Sequence, residues 1–254
     1  MQFVEWLEST EGKKRILANR GVNGERLLRK YNREYGKDIR EVKCVSLQEV
    51  AKELLCAVAA LEDWQEEINL LPPEACVYKM NELLGNHSFS FVPRECLCVR
   101  TAETVLNSLN QIRMNEAKQA FKESSEQKLK DIRAIIALYE ESLQKEQVYD
   151  APMLLRKACE VLERVENKNG LLLLMPGLRG CSFGILADYE LTVLEQQFVD
   201  GILGLLEENL TVLEFVQDIN ASVSYRFFKA YGVVNEIDFI LDKMEKDNIA
   251  YGDV

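Results

Sequence analysis

Apolar residues recur along this chain in two rhythms, short β-branched runs and longer stretches at three- and four-residue steps. Val4, Trp6 and Leu7 predict a short helix that Gly12 ends, and Arg15 to Asn19 reads as a strand followed by the turn Gly21 to Gly24. Glu25 to Tyr35 then reads as a helix. Leu28, Tyr31 and Tyr35 fall on one face, with Arg26, Arg29, Lys30 and Arg33 mostly on the other. Gly36 is placed to stop it. Val42 to Val45 predicts a second strand, and Ser46 with Glu49 forms a capping box that opens a helix from Leu47 to Leu61. Strand, helix, strand, helix in this order predicts parallel α/β layering.

The middle of the chain changes rhythm. Pro72 and Pro73 start a helix to about Leu84, and Asn86 to Pro93 is a loop or short strand. Helices follow at Thr101 to Met114, Ser125 to Gln144 and Pro152 to Glu166, the last capped by Asp150. No strand alternation interrupts this block, which predicts an all-helical insertion. After the turn Asn167 to Gly170, strands return at Leu171 to Met175 and Cys181 to Leu186. The second of these leads to a carboxylate, Asp188. Thr192 with Glu195 caps a helix carrying Leu194, Phe198, Ile202 and Leu205. Leu210 to Val216 and Arg226 to Gly232 are further strand candidates, and Asn235 caps a helix from Glu236 to about Lys246. The chain stops at Val254 where another strand would begin, so a piece of a longer protein is expected. The predicted organisation is an α/β parallel-sheet domain in two parts, residues 1–62 and 169–254, interrupted by a helical insertion over residues 63–168.

Composition narrows the chemistry. No apolar run approaches the ~20 residues that span a bilayer, so no membrane association is expected. The acidic amphipathic start is not a secretory signal. Seven cysteines in 254 residues predict reduced thiols of a cytoplasmic protein rather than a disulfide framework. With one histidine, His87, and no C-x-x-C, they make no metal site. Cys96 and Cys98 are only a C-x-C pair, and Cys56, Cys159 and Cys181 are expected as buried small hydrophobes. The net charge of −11 is unevenly spread. Lys13 to Lys43 holds eleven Lys or Arg against four Asp or Glu, an excess of +7 that leaves −18 for the remainder.

Four segments, in order, carry a resemblance. Cys44-Val-Ser-Leu-Gln-Glu-Val-Ala-Lys-Glu-Leu-Leu55 resembles the strand-then-helix element that precedes the helical insertion of UvrD/Rep-type superfamily-one helicases. Tyr149-Asp-Ala-Pro-Met-Leu-Leu155 resembles the helix that closes it. Ile185-Leu-Ala-Asp-Tyr-Glu-Leu-Thr-Val-Leu-Glu-Gln196 occupies the place of the Walker B segment, and Ala230 to Met244 resembles a helix of AddB-type helicase–nuclease subunits. The chain therefore resembles the N-terminal part of an AddB-like subunit or related PD-(D/E)XK exonuclease protein. The resemblance implies a degenerate P-loop-NTPase-like domain in a DNA repair or recombination complex. It further implies DNA, single-stranded or as a duplex end, and an AddA-like helicase subunit as partners, with an exonuclease domain nearer the C-terminus of the whole protein.

The departures from that pattern decide the expected mechanism. A P-loop needs G-x-x-x-x-G-K-[ST], because glycine amides wrap the phosphates, Lys neutralises them and the hydroxyl holds Mg²⁺. Here Gly12-Lys13 is followed by Lys14, and Leu7 stands at the first glycine position. The turn from Gly21 to Gly24 has no Lys-Thr. Asp188 keeps the vestigial Walker B position, yet Tyr189 stands where the catalytic Glu would be. No catalytic residue, cofactor or metal is expected of this segment, so it is read as no enzyme. The residue pairs Glu66-Glu67, Glu140-Glu141 and Glu207-Glu208 are expected on solvated faces. Two functions remain. One is a DNA-guiding scaffold in which Arg26, Arg29, Lys30, Arg33, Arg226 and Lys229 contact phosphates while Tyr31 or Tyr35, if exposed, stacks a base, the alternative for this helix being a solvated basic face with its tyrosines turned to the core. The other is an acidic module whose helical insertion docks a helicase partner without touching DNA.

Overall fold

The computed structural model describes residues 3–9, 12–18, 25, 28, 29, 31–33, 36, 41–62, 64, 67–115, 126–165, 168–186, 189–207, 210–214 and 241. The chain divides into two compact units, Met1–Phe215 and Val216–Val254. In the second only Leu241, which is helical, is described. The strand expected at Arg226 to Gly232 and the capped helix after Asn235 lie outside the described residues.

The first unit is built on four parallel strands in the order β2-β1-β5-β6, with β1 at Lys13–Leu17, β2 at Val42–Val45, β5 at Cys181–Leu186 and β6 at Leu210–Leu213. β1 pairs with β2 on one side and β5 on the other, and β5 pairs with β6. Strand β1 begins two residues earlier than the apolar pattern suggests. Gly12, at φ 118°, turns the chain, after which Lys13 and Lys14 pair with Cys181 and Ser182. Backbone pairing to two neighbours holds polar side chains in a strand that their hydropathy does not mark.

Alternation along the strands sends side chains to opposite faces of the sheet. Leu17, Val45, Phe183 and Ile185 face one layer, formed by α2 (Leu47–Leu61), α6 (Ala151–Arg164), α7 (Lys168–Leu174) and α8 (Val193–Leu206). Ile16, Leu186 and Leu213 face the other, where Phe3, Trp6 and Leu7 of α1 (Phe3–Ser9) pack with Tyr31. Glu25, Leu28, Arg29, Tyr31, Asn32 and Arg33 are helical, and Gly36, at φ 62°, donates its N–H to the Asn32 carbonyl at 2.9 Å. The sheet is thus covered on both faces, as parallel sheets require.

Both predicted capping boxes are present. Ser46 Oγ accepts from Glu49 N–H at 3.2 Å while Ser46 N–H donates to Glu49 Oε2 at 2.7 Å, starting α2. Thr192 and Glu195 repeat the exchange at 3.3 and 2.9 Å to start α8. Each cap fixes a helix whose apolar face lies in the main core, which links a four-residue sequence pattern to the placement of a whole layer.

Between α2 and α6 lie α3 (Pro73–Asn86), the short 3-10 helix Arg94–Cys96, α4 (Val99–Asn115) and α5 (Glu126–Lys145). They enclose a core of their own around Met80, Leu84, Leu106, Ile135, Tyr139 and Leu143. The block is not all-helical. β3 (Asn69–Leu70) and β4 (Val148–Tyr149) form a two-residue parallel pair where the chain leaves for the helices and returns from them, and Leu71 N–H donates to the Tyr149 carbonyl at 2.8 Å. Phe89 and Val92 form a further isolated bridge. Pairs this short leave no periodicity to read. Helix α6 packs chiefly against α2 and α8 in the main core, with a smaller contact to α4.

Two further expectations are corrected. The segment predicted as a strand at Leu171 to Met175 is helical as far as Leu174, within α7. Leu171 is buried while Leu173 and Leu174 are exposed, so only one face of an apolar run meets the core, a case that periodicity alone cannot distinguish from a strand. Cys56 is exposed on the outer face of α2, Cys159 is half-buried, and only Cys181 of the three is buried. No described helix is long and apolar enough to cross a membrane.

Candidate functional site

In an open parallel sheet, ligands bind outside the carboxyl ends of the strands where the strand order reverses. The chain runs from β1 to β2 on one side and returns through β5 to β6 on the other, so the reversal falls between β1 and β5, which end at Leu17 and Leu186. Asp188 and the turn from Gly21 to Gly24 lie outside the described residues. What is described nearby is structural. The Tyr189 hydroxyl donates to Glu195 Oε1 at 3.0 Å while Glu195 Oε2 serves the α8 cap. Burial, then the Glu195 carboxylate, push the Tyr189 phenol above its ordinary range. Tyr189 is a neutral donor fixed on a helix cap. At the other end of the sheet, Gly12-Lys13 leads into a strand, the reverse of the strand-to-loop order of a phosphate cradle.

The basic segment is partly spent inside the fold. Lys14 is buried. Its ammonium donates to the Leu7 carbonyl at 2.5 Å and lies 5.8 Å from the Trp6 ring centroid. Desolvation holds its pKa below the ordinary lysine range. Arg15 Nε donates to the Gly177 carbonyl at 3.0 Å. Arg29 pairs at 3.4 Å with Glu25 one turn earlier, both exposed, and Arg33 is exposed on the same helix. Tyr31 takes the core-facing alternative and not the stacking one. It is buried, its hydroxyl donates to Glu8 Oε1 at 3.0 Å, and the Phe3 ring meets it edge-on with centroids 6.4 Å apart. Arg26, Lys30, Tyr35, Arg226 and Lys229 lie outside the described residues.

The densest polar constellation is one that no local pattern in the sequence marks. Arg113, at the end of α4, is buried and donates through Nη1 and Nη2 to Asp150 Oδ2 and Oδ1 at 2.5 and 3.0 Å. Its Nε donates to Glu140 Oε1 at 2.9 Å, and Nη1 also reaches Asn110 Oδ1 at 3.1 Å. Asp150 is buried too, and its Oδ1 accepts from Met153 N–H at 3.1 Å as the cap of α6. Arg156 joins from α6 to Glu140 at 3.1 Å. One guanidinium therefore connects α4, α5 and α6, the point at which the helical block meets the main core. Glu140 corrects the solvated-pair expectation, being enclosed by two guanidinium groups while Glu141 pairs with Lys145 on the surface.

A cavity of about 270 Å³ opens beside this cluster, with Glu140, Tyr149, Met153, Arg156 and Lys157 in its wall. Its cationic groups are already engaged. Arg156 is paired with Glu140, and the Lys157 ammonium and Arg164 guanidinium each lie 5.4 Å from the Trp64 ring centroid. No Ser, Cys or His stands in the wall to act as a nucleophile beside a base. Among the described residues no group of three or more His, Cys, Asp or Glu is arranged to hold a metal ion. This arrangement holds helices in register.

Charge is also distributed differently from what the remainder total suggests. Residues 63–168 carry eighteen acidic and fourteen basic residues, a net −4, whereas residues 169–254 carry fourteen and five, a net −9. The helical block is close to neutral, so phosphate repulsion is not its distinguishing property.

No protein-family model matches the chain, and no curated protein matches it.

Proposed function

We propose that this chain is a non-catalytic, helicase-like module of a DNA repair or recombination helicase–nuclease, and that it scaffolds the complex through protein contact rather than guiding DNA. The observation that carries the choice between the two is Tyr31. Tyr31, one of the two tyrosines offered for base stacking beside Tyr35, is enclosed against Phe3 with its hydroxyl on Glu8, and base stacking needs an open ring face. Lys14, Arg15 and Arg29 add to it, because each is engaged within the protein.

The helical block supports the scaffold reading in its own right. It has a separate core and is tied to the sheet domain by the Arg113 cluster, so it presents a fixed surface. Tyr78 on α3 stands 66 % exposed there, and tyrosine is among the residues enriched at interfaces. The proposed partner is an AddA-like helicase subunit. The test is size-exclusion chromatography of the purified chain mixed with that subunit from the same source. A complex that persists at high salt and is weakened about tenfold by Tyr78→Ala supports the reading. Absence of a complex, together with salt-sensitive binding of single-stranded DNA, would replace it with the DNA-guiding function.

A further inference from the structure

Cys96 and Cys98 stand together at an exposed junction. Cys96 ends the 3-10 helix and Cys98 precedes α4, whose Ala102 N–H donates to the Cys98 carbonyl at 3.0 Å. Both thiols are exposed. A single hydroxyl joins them, for Thr101 Oγ1 donates to the Cys96 carbonyl at 2.6 Å and lies 3.3 Å from Cys98 Sγ. Thr101 has one hydroxyl proton. With that proton on the Cys96 carbonyl, the Cys98 S–H donates to Thr101. When Cys98 ionises, the hydroxyl turns to the sulfur, and the first-turn N–H groups of a 17-residue helix add their partial positive charge. The Thr101 hydroxyl and backbone N–H accordingly hold the Cys98 thiol below its ordinary range.

The other described cysteines differ. Burial pushes the Cys44 thiol to about 12 and the Cys159 thiol to about 11. Cys76 and Cys181 are buried. Cys56 is exposed but sits in the interior of α2, away from either helix end, which makes it an internal control.

We infer that Cys98 and Cys96 form a thiol-exchange site for a small disulfide, with Cys98 as the attacking sulfur and Cys96 as the resolving one. The Cys98 thiolate attacks one sulfur of R–S–S–R, the S–S bond breaks, and one R–S⁻ leaves and takes a proton from water. The Cys96 thiolate then attacks Cys98 Sγ and expels the R group as a second thiol. Two electrons pass from the protein dithiol to the small disulfide, which becomes two thiols. Residues i and i+2 are within about 7 Å even in an extended chain, at the edge of disulfide reach. Cys98 directly precedes the helix that carries Arg113, so the exchange would occur at the start of an element that links the helical block to the main core.

The test treats the whole chain with oxidised glutathione at pH 7 and follows each cysteine by peptide mass spectrometry. Cys98 is expected to react first, about tenfold faster than Cys56, and Thr101→Val is expected to remove most of that advantage. In the unaltered chain the glutathione adduct gives way to a Cys96–Cys98 disulfide, whereas in Cys96→Ser it persists. Equal rates at Cys56 and Cys98 would overturn the assignment of the attacking sulfur, and this comparison needs no variant. An adduct on Cys98 that never resolves in the unaltered chain would overturn the pair.

Discussion

Arg113 and Asp150, thirty-seven positions apart, meet in a two-bond ion pair at 2.5 and 3.0 Å with side chains only 2 % and 3 % exposed. The same carboxylate caps α6, so one contact fixes both the start of a core helix and the end of an insertion helix. Removing one member strands the other's charge in the interior. Arg113→Met is expected to cost about 3–5 kcal/mol in urea unfolding. Asp150→Asn keeps a good cap residue and so isolates the charge from the cap. The double variant should cost less than the sum of the singles by about 1–3 kcal/mol. Additive costs would mean the pair is not coupled.

Gly184 in β5 leaves no room for a side chain. A Cβ there would stand 2.5 Å from Leu213 Cδ1 and 3.2 Å from the Trp6 ring. Leu213 is buried, as is Trp6, so neither has room to withdraw. Gly184→Ala is expected to destabilise by about 1–3 kcal/mol and to shift Trp6 fluorescence in the folded state. An unchanged midpoint and spectrum would show that the α1 face of the sheet is loosely packed.

Glu207 ends α8 in the left-handed conformation, at φ 56° and ψ 33°, with its N–H on the Leu203 carbonyl. A side chain is strained there and glycine is not. Glu207→Gly should therefore stabilise, by about 0.5–1 kcal/mol, where most surface glycine substitutions destabilise. Differential scanning calorimetry reads the sign directly.

Lys14 predicts a pH dependence. Burial lowers its pKa in the folded chain, so folding is penalised while the ammonium stays charged. Between the lowered pKa and the ordinary lysine value the unfolded chain binds more protons, and stability must rise with pH in that alkaline window. Below the lowered pKa the full penalty applies. The gap in urea midpoint between the parent chain and Lys14→Met should change in the parent's favour from pH 8 to about 10.5. Parallel curves would show that the Leu7 carbonyl offsets the desolvation.

The elements that local chemistry specifies were legible in the sequence. Ser46 with Glu49 and Thr192 with Glu195 each announce a helix start, and both boxes form with the expected bonds. The β-branched run at Val42–Val45 and the apolar run at Cys181–Leu186 are strands at those bounds. What could not be read is what depends on distant partners. The leucines of α7 are helical, with Leu171 buried and Leu172 partly buried on the core while Leu173 and Leu174 face outward. Tyr31 shares an apolar helix face with Leu28, but that it is covered by α1 depends on a distant segment. Arg113, Glu140 and Asp150 come from three elements, and their sequence separation leaves only the local signals, a cap at Asp150 and a surface-like Glu140-Glu141 pair.

Fluorescence anisotropy of a labelled single-stranded oligonucleotide, titrated with this chain at low and then physiological salt, tests the scaffold reading most directly. The expected result is no binding at physiological salt, and no steep salt dependence that Arg29→Glu with Arg33→Glu removes. Submicromolar binding that falls steeply with salt and is lost in that double variant would contradict it. The basic helix would then be a DNA track despite its enclosed tyrosine.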